Sequence, residues 1–139
     1  MSETPDMSQA STVRAQANLH LPHSDRAPRL ARAFVAESLH GWQLDDLIEP
    51  VSLLASEVVT NAVIHARSDA DLVLERTPNA LRISVTDRGE GMERDVGRAS
   101  DGGRGLLIVE QLSSRWGAEP TSDGNRVWAE IPIGSGRRQ

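Results

Sequence analysis

Leu81-Arg82-Ile83-Ser84-Val85-Thr86-Asp87, running directly into Arg88-Gly89-Glu90-Gly91, sets the architecture of this chain. Leu81, Ile83 and Val85 alternate with Arg82, Ser84 and Thr86, which is the period-2 pattern of a strand with one face on a core. Just upstream, residues 72–76 form a second apolar segment, and Thr77-Pro78-Asn79 between them is a turn. Two strands joined by so short a turn must pair antiparallel. The second of them ends on a carboxylate, Asp87, and glycines follow at once.

Working outward, Ala15, Ala17, Leu19 and Leu21 alternate with Gln16, Asn18 and His20, predicting another half-buried strand. Ser24 or Asp25 is placed to cap a helix reaching about residue 40, with Pro28 in its first turn and Gly41 as its stop. A second helix opens near Asp45 or Asp46, with Pro50 blurring its start, and Val51, Leu54, Ala55, Val58 and Ala62 form its core stripe. Residues 88–104 hold five glycines and little apolar content, predicting a long mobile loop; Gly105 opens a short helix through Leu112. Residues 115–121 and 126–133 form a closing hairpin around Ser122-Asp123-Gly124-Asn125. The expected fold is α+β: a two-layer sandwich whose mixed, mostly antiparallel sheet is covered on one face by helices. Residues 1–12 read as a disordered tail, 13–133 as one domain and 134–139 as a second tail.

Bulk properties narrow the function. The 139 residues suit one domain, and the absence of cysteine removes disulfides and thiolate metal sites. The net charge of -5 speaks against a broad nucleic-acid groove. All 15 basic residues are arginine, so neither a P-loop lysine nor a Schiff-base lysine is available. No apolar run approaches the ~18 residues of a membrane span, and no signal pattern opens the chain. A soluble, cytoplasmic protein without a membrane or direct nucleic-acid role is expected.

Three motifs carry the chemistry. In Glu57-x-x-x-Asn61-Ala62-x-x-His65 the polar residues recur every fourth position, so on an α-helix they stack along one stripe beside the core stripe. Magnesium needs only one or two hard oxygen ligands besides phosphates, which suits the Asn61 amide, and Glu57 one turn away is placed to accept a proton. Asp87-x-Gly89-x-Gly91 offers a strand-end carboxylate for an exocyclic amino group such as adenine's, with glycines permitting close approach of a flat ring. Gly102-Gly103-Arg104-Gly105 presents free N–H groups and a guanidinium to phosphate. Each motif alone has a plainer reading: a polar helix edge, an Asp-Gly turn, a flexible linker. Their joint order, on helix, strand end and loop-to-helix junction, favours a nucleotide site. The spacing does not fit a Rossmann phosphate loop.

The set resembles the GHKL ATPase superfamily, with its Bergerat ATP-binding fold. Glu57-Val-Val-Thr-Asn61-Ala-Val-Ile-His65 resembles the N box, Asp87-Arg-Gly-Glu-Gly91 the G1 box and Gly103-Arg-Gly105 the G2 box. The likeness extends over residues 15–133, including Trp116-Gly117 and Val127-Trp128, and is strongest to the anti-sigma factor serine/threonine kinase branch. It implies ATP and Mg2+ as cofactors, Glu57 as general base, Asn61 as magnesium ligand and Asp87 as the adenine contact. It further implies Gly89 and Gly91 shaping the adenine pocket, and Gly103, Arg104 and Gly105 as a phosphate-touching lid hinge. His65 supports phosphate or packing, and Thr60 matches a threonine of the branch. Many relatives begin the last strand with Gly-Thr, whose threonine supports an adenine-bound water; this chain has Gly124-Asn125-Arg126, so the resemblance assigns no second adenine contact. By the same resemblance the partners are a sigma factor and a STAS-domain anti-anti-sigma protein, with a homodimer as one assembly.

A non-catalytic, ATP-dependent protein-binding switch is the rival expectation, since Glu57 suits both. A sensor histidine kinase fragment is disfavoured because no phosphoacceptor helix pair precedes the domain, and His20, His23 and His40 read as surface residues. Trp42, Trp116 and Trp128 suit core packing or a partner surface better than base stacking.

Overall fold

The computed structural model describes residues 13–89 and 110–133. β1 (Ala15–Leu21) leads into α1 (Ala27–Gly41), and a 3-10 turn (Asp45–Leu47) opens α2 (Ile48–Val59), which continues as a π-helical segment (Thr60–His65). β2 (Ala70–Arg76), β3 (Ala80–Asp87), β4 (Arg115–Thr121) and β5 (Gly124–Pro132) complete the described elements. The five strands form one sheet in the order β1-β2-β3-β5-β4, antiparallel at every pairing. This is the α+β two-layer arrangement anticipated from strand alternation. Both expected tails, most of the 88–104 loop and the start of the helix from Gly105 lie outside the described residues; residues 110–112 are helical.

The core is the meeting of two periodicities. Ala27, Ala31, Val35 and Leu39 recur every fourth position on α1 and are fully buried. On α2 the buried line runs through Val51, Leu54, Ala55 and Val59; Val58, expected in the stripe, is only partly buried against it. Opposite them lie Leu72 and Leu74 of β2, Leu81, Ile83 and Val85 of β3, and Ala129 and Ile131 of β5. Fully burying a side chain such as leucine or valine stabilises the fold by about 1.5–3 kcal/mol, so the interface between layers dominates stability. Residues 45–65 contain an 18-residue window of mean hydropathy 1.5, long and apolar enough to pass for a membrane span. Their apolar side chains from Val51 to Val63 instead supply one wall of this core.

The helix ends depart from the sequence reading for local reasons. Ser24 does not cap α1: its Oγ accepts from the Arg26 N–H and its carbonyl from the Ala27 N–H, making a turn before the helix. At the other end Gly41 is still helical, and Gln43 takes the left-handed conformation at φ 61°. The Leu44 N–H reaches the Leu39 carbonyl and the Gln43 N–H the His40 carbonyl, a Schellman closure with glutamine where glycine is usual. Leu44 and Leu39 both pack in the core, which offsets the unfavourable φ. The last hairpin is also tighter than expected: Thr121 pairs with Gly124, leaving Ser122 and Asp123 as the loop and placing Gly124 and Asn125 in β5.

Candidate nucleotide-binding site

The first motif does not remain α-helical. The α-helix ends at Val59, and residues from Thr60 onward follow i→i+5 bonding, with the Ala66 N–H donating to the Asn61 carbonyl at 3.0 Å. The Thr60 hydroxyl donates back to the Ser56 carbonyl at 2.7 Å, so it is used within the helix at the point where the geometry changes. Wider turns break the expected single stripe: Glu57 and Asn61 are half-buried, whereas His65 is exposed. π-segments recur at functional sites because they redirect side chains without ending a helix.

The segment leaving the π-turn runs into the end of β3. A Cβ on Gly89 would collide with the Ala66 Cβ, so the second motif abuts the residue that follows the first. Arg67 then adopts φ 57°, turning the chain toward β2. Ser68, buried at the turn, accepts from the Arg88 N–H at 2.9 Å and donates to the Asp69 carbonyl at 2.5 Å. The exit from the N-box motif and the start of the G1-box motif are therefore tied by packing and by a hydrogen bond.

Asp87 is the centre of this region. It continues the inward line of Leu81, Ile83 and Val85, and is only 5% exposed. Its Oδ1 accepts from the Gly89 N–H at 2.8 Å. Burial pushes its carboxyl above the ordinary range, while the Gly89 N–H and the Asn125 side chain oppose that shift. A buried carboxylate with few donors is poised to take one more.

β5 closes the other side. Asn125 pairs directly with Asp87 in the β3–β5 register, and its Nδ2 donates to the Gly89 carbonyl at 3.2 Å. Gly124 lies flush on the β3 backbone, where a Cβ would overlap the Asp87 carbonyl oxygen. Three of the four buried polar residues among those described, Ser68, Asp87 and Asn125, gather at this end of the sheet. Ser68 was not foreseen as a site residue, whereas Asn125 was singled out as standing in place of the adenine-side threonine of many relatives. A signal existed: Asn125 extends the alternating inward line of Val127, Ala129 and Ile131, as Asp87 extends that of β3.

The structure thus brings Asp87 and Gly89 against the end of the π-turn that carries Asn61, and leaves His65 toward solvent. Gly91, Gly103, Arg104 and Gly105 lie outside the described residues. The tryptophans divide. Trp42 packs on the core, Trp116 is 37% exposed, and Trp128 faces the helix-free side of the sheet with Arg115 5.7 Å from its ring centre. There a groove of about 440 Å³ is lined by Trp128 and by an ion-pair ladder in which Glu130 meets both Arg82 and Arg115. It is a solvated face distinct from the Asp87 end of the core layer.

Blue-light-activated histidine kinase 2 of Erythrobacter litoralis (strain HTCC2594) is 40% identical over 93 residues, covering 60% of this chain and 27% of that protein. The family model described as the histidine kinase-like ATPase domain matches residues 21–131, from the last residue of β1 to the penultimate residue of β5. With the sheet, the covering helices and the carboxylate at the end of β3 all inside that span, the chain belongs to the histidine kinase-like ATPase domain family, a family of ATP-binding domains.

Proposed function

We propose that this domain is an ATP-dependent serine/threonine protein kinase of the anti-sigma type. It acts in the cytoplasm, binding a sigma factor and phosphorylating a serine of a STAS-domain anti-anti-sigma protein. The observation that carries the nucleotide part is the buried Asp87 carboxylate, set against the exit of the segment bearing Glu57 and Asn61. The serine/threonine assignment rests on the three motifs and their resemblance to that branch.

In this reading Asp87 accepts the adenine amino group, and Gly89 lets the ring approach the backbone. Asn61 provides an amide oxygen to magnesium, and the half-buried Glu57 faces the transferred group. Among the described residues no three His, Cys, Asp or Glu side chains converge as a protein-only metal cage. One amide together with nucleotide phosphates is the coordination that magnesium commonly takes, so the residues present fit it. Magnesium, when bound, neutralises phosphate charge. The serine hydroxyl oxygen forms a bond to the γ-phosphorus as the bond to the β–γ bridging oxygen breaks. ADP departs, and Glu57 takes the hydroxyl proton.

The named relative favours a second reading, in which the domain serves a histidine phosphotransfer system. Incubation with γ-labelled ATP, magnesium and candidate STAS proteins separates the two. Acid-stable label on a partner serine supports the serine kinase; acid-labile label on histidine supports the alternative; a tight complex without label supports a non-catalytic switch. Calorimetry with ATP, with and without magnesium, tests the site beforehand. Asn61→Ala is expected to abolish the magnesium-dependent part of the affinity, and unchanged affinity would refute the assignment of Asn61.

A further inference from the structure

The turn that leaves the π-segment is bonded on two sides. On one, the Ser68 Oγ accepts from the Arg88 N–H at 2.9 Å, within the Asp87–Gly89 turn. On the other, the Asp69 carboxylate accepts from the His23 N–H at 2.9 Å through Oδ1 and meets His20 Nε2 at 3.3 Å through Oδ2. We propose that Ser68 is a positioning residue for nucleotide binding, and that His20, acting through Asp69, sets how firmly Ser68 is held. The proposal rests on the nucleotide reading above and adds a proton-sensitive input to it.

Ala70 and Asp87 are the last register pair between β2 and β3. Just before Ala70 the backbone swings away, with Arg67 at φ 57°. The Ser68 hydroxyl therefore does what a ladder carbonyl does inside a sheet, holding the Arg88 N–H one residue past the last pair. Ser68 is buried, and its own proton is committed to the Asp69 carbonyl at 2.5 Å, which aims its lone pairs at Arg88. A displacement of Asp69 is thus passed to Ser68 and on to the turn that carries Gly89. Asp69 in turn is governed by His20, whose Nδ1 meets Asp71 Oδ1 at 2.8 Å while its Nε2 meets Asp69. Only the imidazolium donates at both nitrogens; the neutral ring keeps one N–H. Asp71 is the nearer partner, and its hydrogen bond is the main cause of the raised His20 pKa, so loss of the proton releases Asp69 first. The charged groups facing His20 are Asp71 from β2 and Asp69 from the turn. On β1 its outward neighbour Asn18 is uncharged, and the loop after β1 brings the titratable His23, whose backbone N–H binds Asp69.

The test uses the full 139-residue chain with magnesium-free ADP, across the pH range in which histidine titrates. Affinities are measured by calorimetry for wild type, Ser68→Ala and His20→Gln, and the His20 midpoint by NMR with and without ADP. Ser68→Ala is expected to weaken ADP binding about tenfold below that midpoint, the equivalent of one buried hydrogen bond. Wild-type affinity should be greatest with His20 protonated and fall about two- to threefold as pH rises through the midpoint, the scale of an exposed contact. His20→Gln should lack that step and keep only the slope that the ADP phosphate and Asp87 contribute. By reciprocity, saturating ADP should raise the His20 midpoint in wild type, and raise it less in Ser68→Ala. A shift undiminished in Ser68→Ala would mean a merely structural serine and overturn the proposal. So would unchanged ADP affinity in a folded Ser68→Ala protein, or parallel pH profiles for wild type and His20→Gln. Should Ser68→Ala not fold, the exposed His20→Gln substitution still decides, since a missing step supports the coupling and parallel profiles defeat it. Failure of the wild-type chain to bind ADP would instead defeat the nucleotide reading itself, and this coupling with it.

Discussion

Gly89 and Ala66 are in such close contact that a methyl group on the glycine would overlap the Ala66 Cβ and lie 3.0 Å from its carbonyl oxygen. This contact joins the two motifs that flank the site. Gly89→Ala is therefore expected to destabilise the domain by about 1–3 kcal/mol, as overpacking does, and to weaken ADP binding. Adding Ala66→Gly removes the nearer atom but leaves the carbonyl, so thermal unfolding of the pair should show partial recovery.

Asp87 is expected to trade stability against binding. Its carboxyl is raised above its unfolded value, chiefly by burial. Its contribution to stability is therefore fully present below the unfolded pKa and lost as pH rises through the folded one. At neutral pH the empty domain carries that loss. Asp87→Asn keeps an oxygen for the Gly89 N–H and removes the charge. Its melting temperature at pH 7 should equal or exceed that of wild type while ADP affinity falls at least ~tenfold. A clear drop in melting temperature would contradict the burial argument.

Ser68→Ala removes the acceptor for the Arg88 N–H and the donor to the Asp69 carbonyl. A buried donor left unmatched costs about 1–3 kcal/mol. Urea unfolding should report that loss, and amide exchange should show the Arg88 N–H losing protection.

His20 reports on the β1–β2 edge. Its Nδ1 lies 2.8 Å from Asp71 and its Nε2 3.3 Å from Asp69. The hydrogen bond to Asp71 is the main reason its pKa is raised above 6.5. The stabilisation is complete below the unfolded pKa and fades as pH rises through the folded one. An NMR titration should place the His20 midpoint above that of a free imidazole, and Asp71→Asn should lower it.

Gly124→Ala should be the most damaging of these substitutions, because the obstruction is backbone on both sides of the contact. Loss of the β4–β5 hairpin signals in NMR, or recovery of the protein only in inclusion bodies, is the expected outcome.

Much of the fold was legible because each layer has its own period. The inward lines of β1 and β3 and the Val35–Leu39 pair of α1 are visible without coordinates; the i, i+4 pair Leu30 and Phe34 suggests an apolar face just as well, yet Leu30 is 45% exposed. Gln43 was not legible: nothing local distinguishes it from Gly41 as the helix stop, and its left-handed φ is sustained by Leu44 reaching the core. The N box misled in another way. Four-residue spacing suggests an α-helical stripe, but the chain widens into a π-turn at Thr60, and His65 leaves the line that Glu57 and Asn61 share.

By itself the order of residues determined the strands, the helices and the identities of Glu57, Asn61 and Asp87 as candidate chemistry, since periodicity and side-chain type are local properties. Only the tertiary structure decided that β5 inserts between β3 and β4. That placement puts Asn125 opposite Asp87 and Gly124 on its carbonyl, across 36 residues of chain from Gly89 to Asn125. Such a pairing is set by which inward faces bury together in the shared core, a choice no short window of sequence contains.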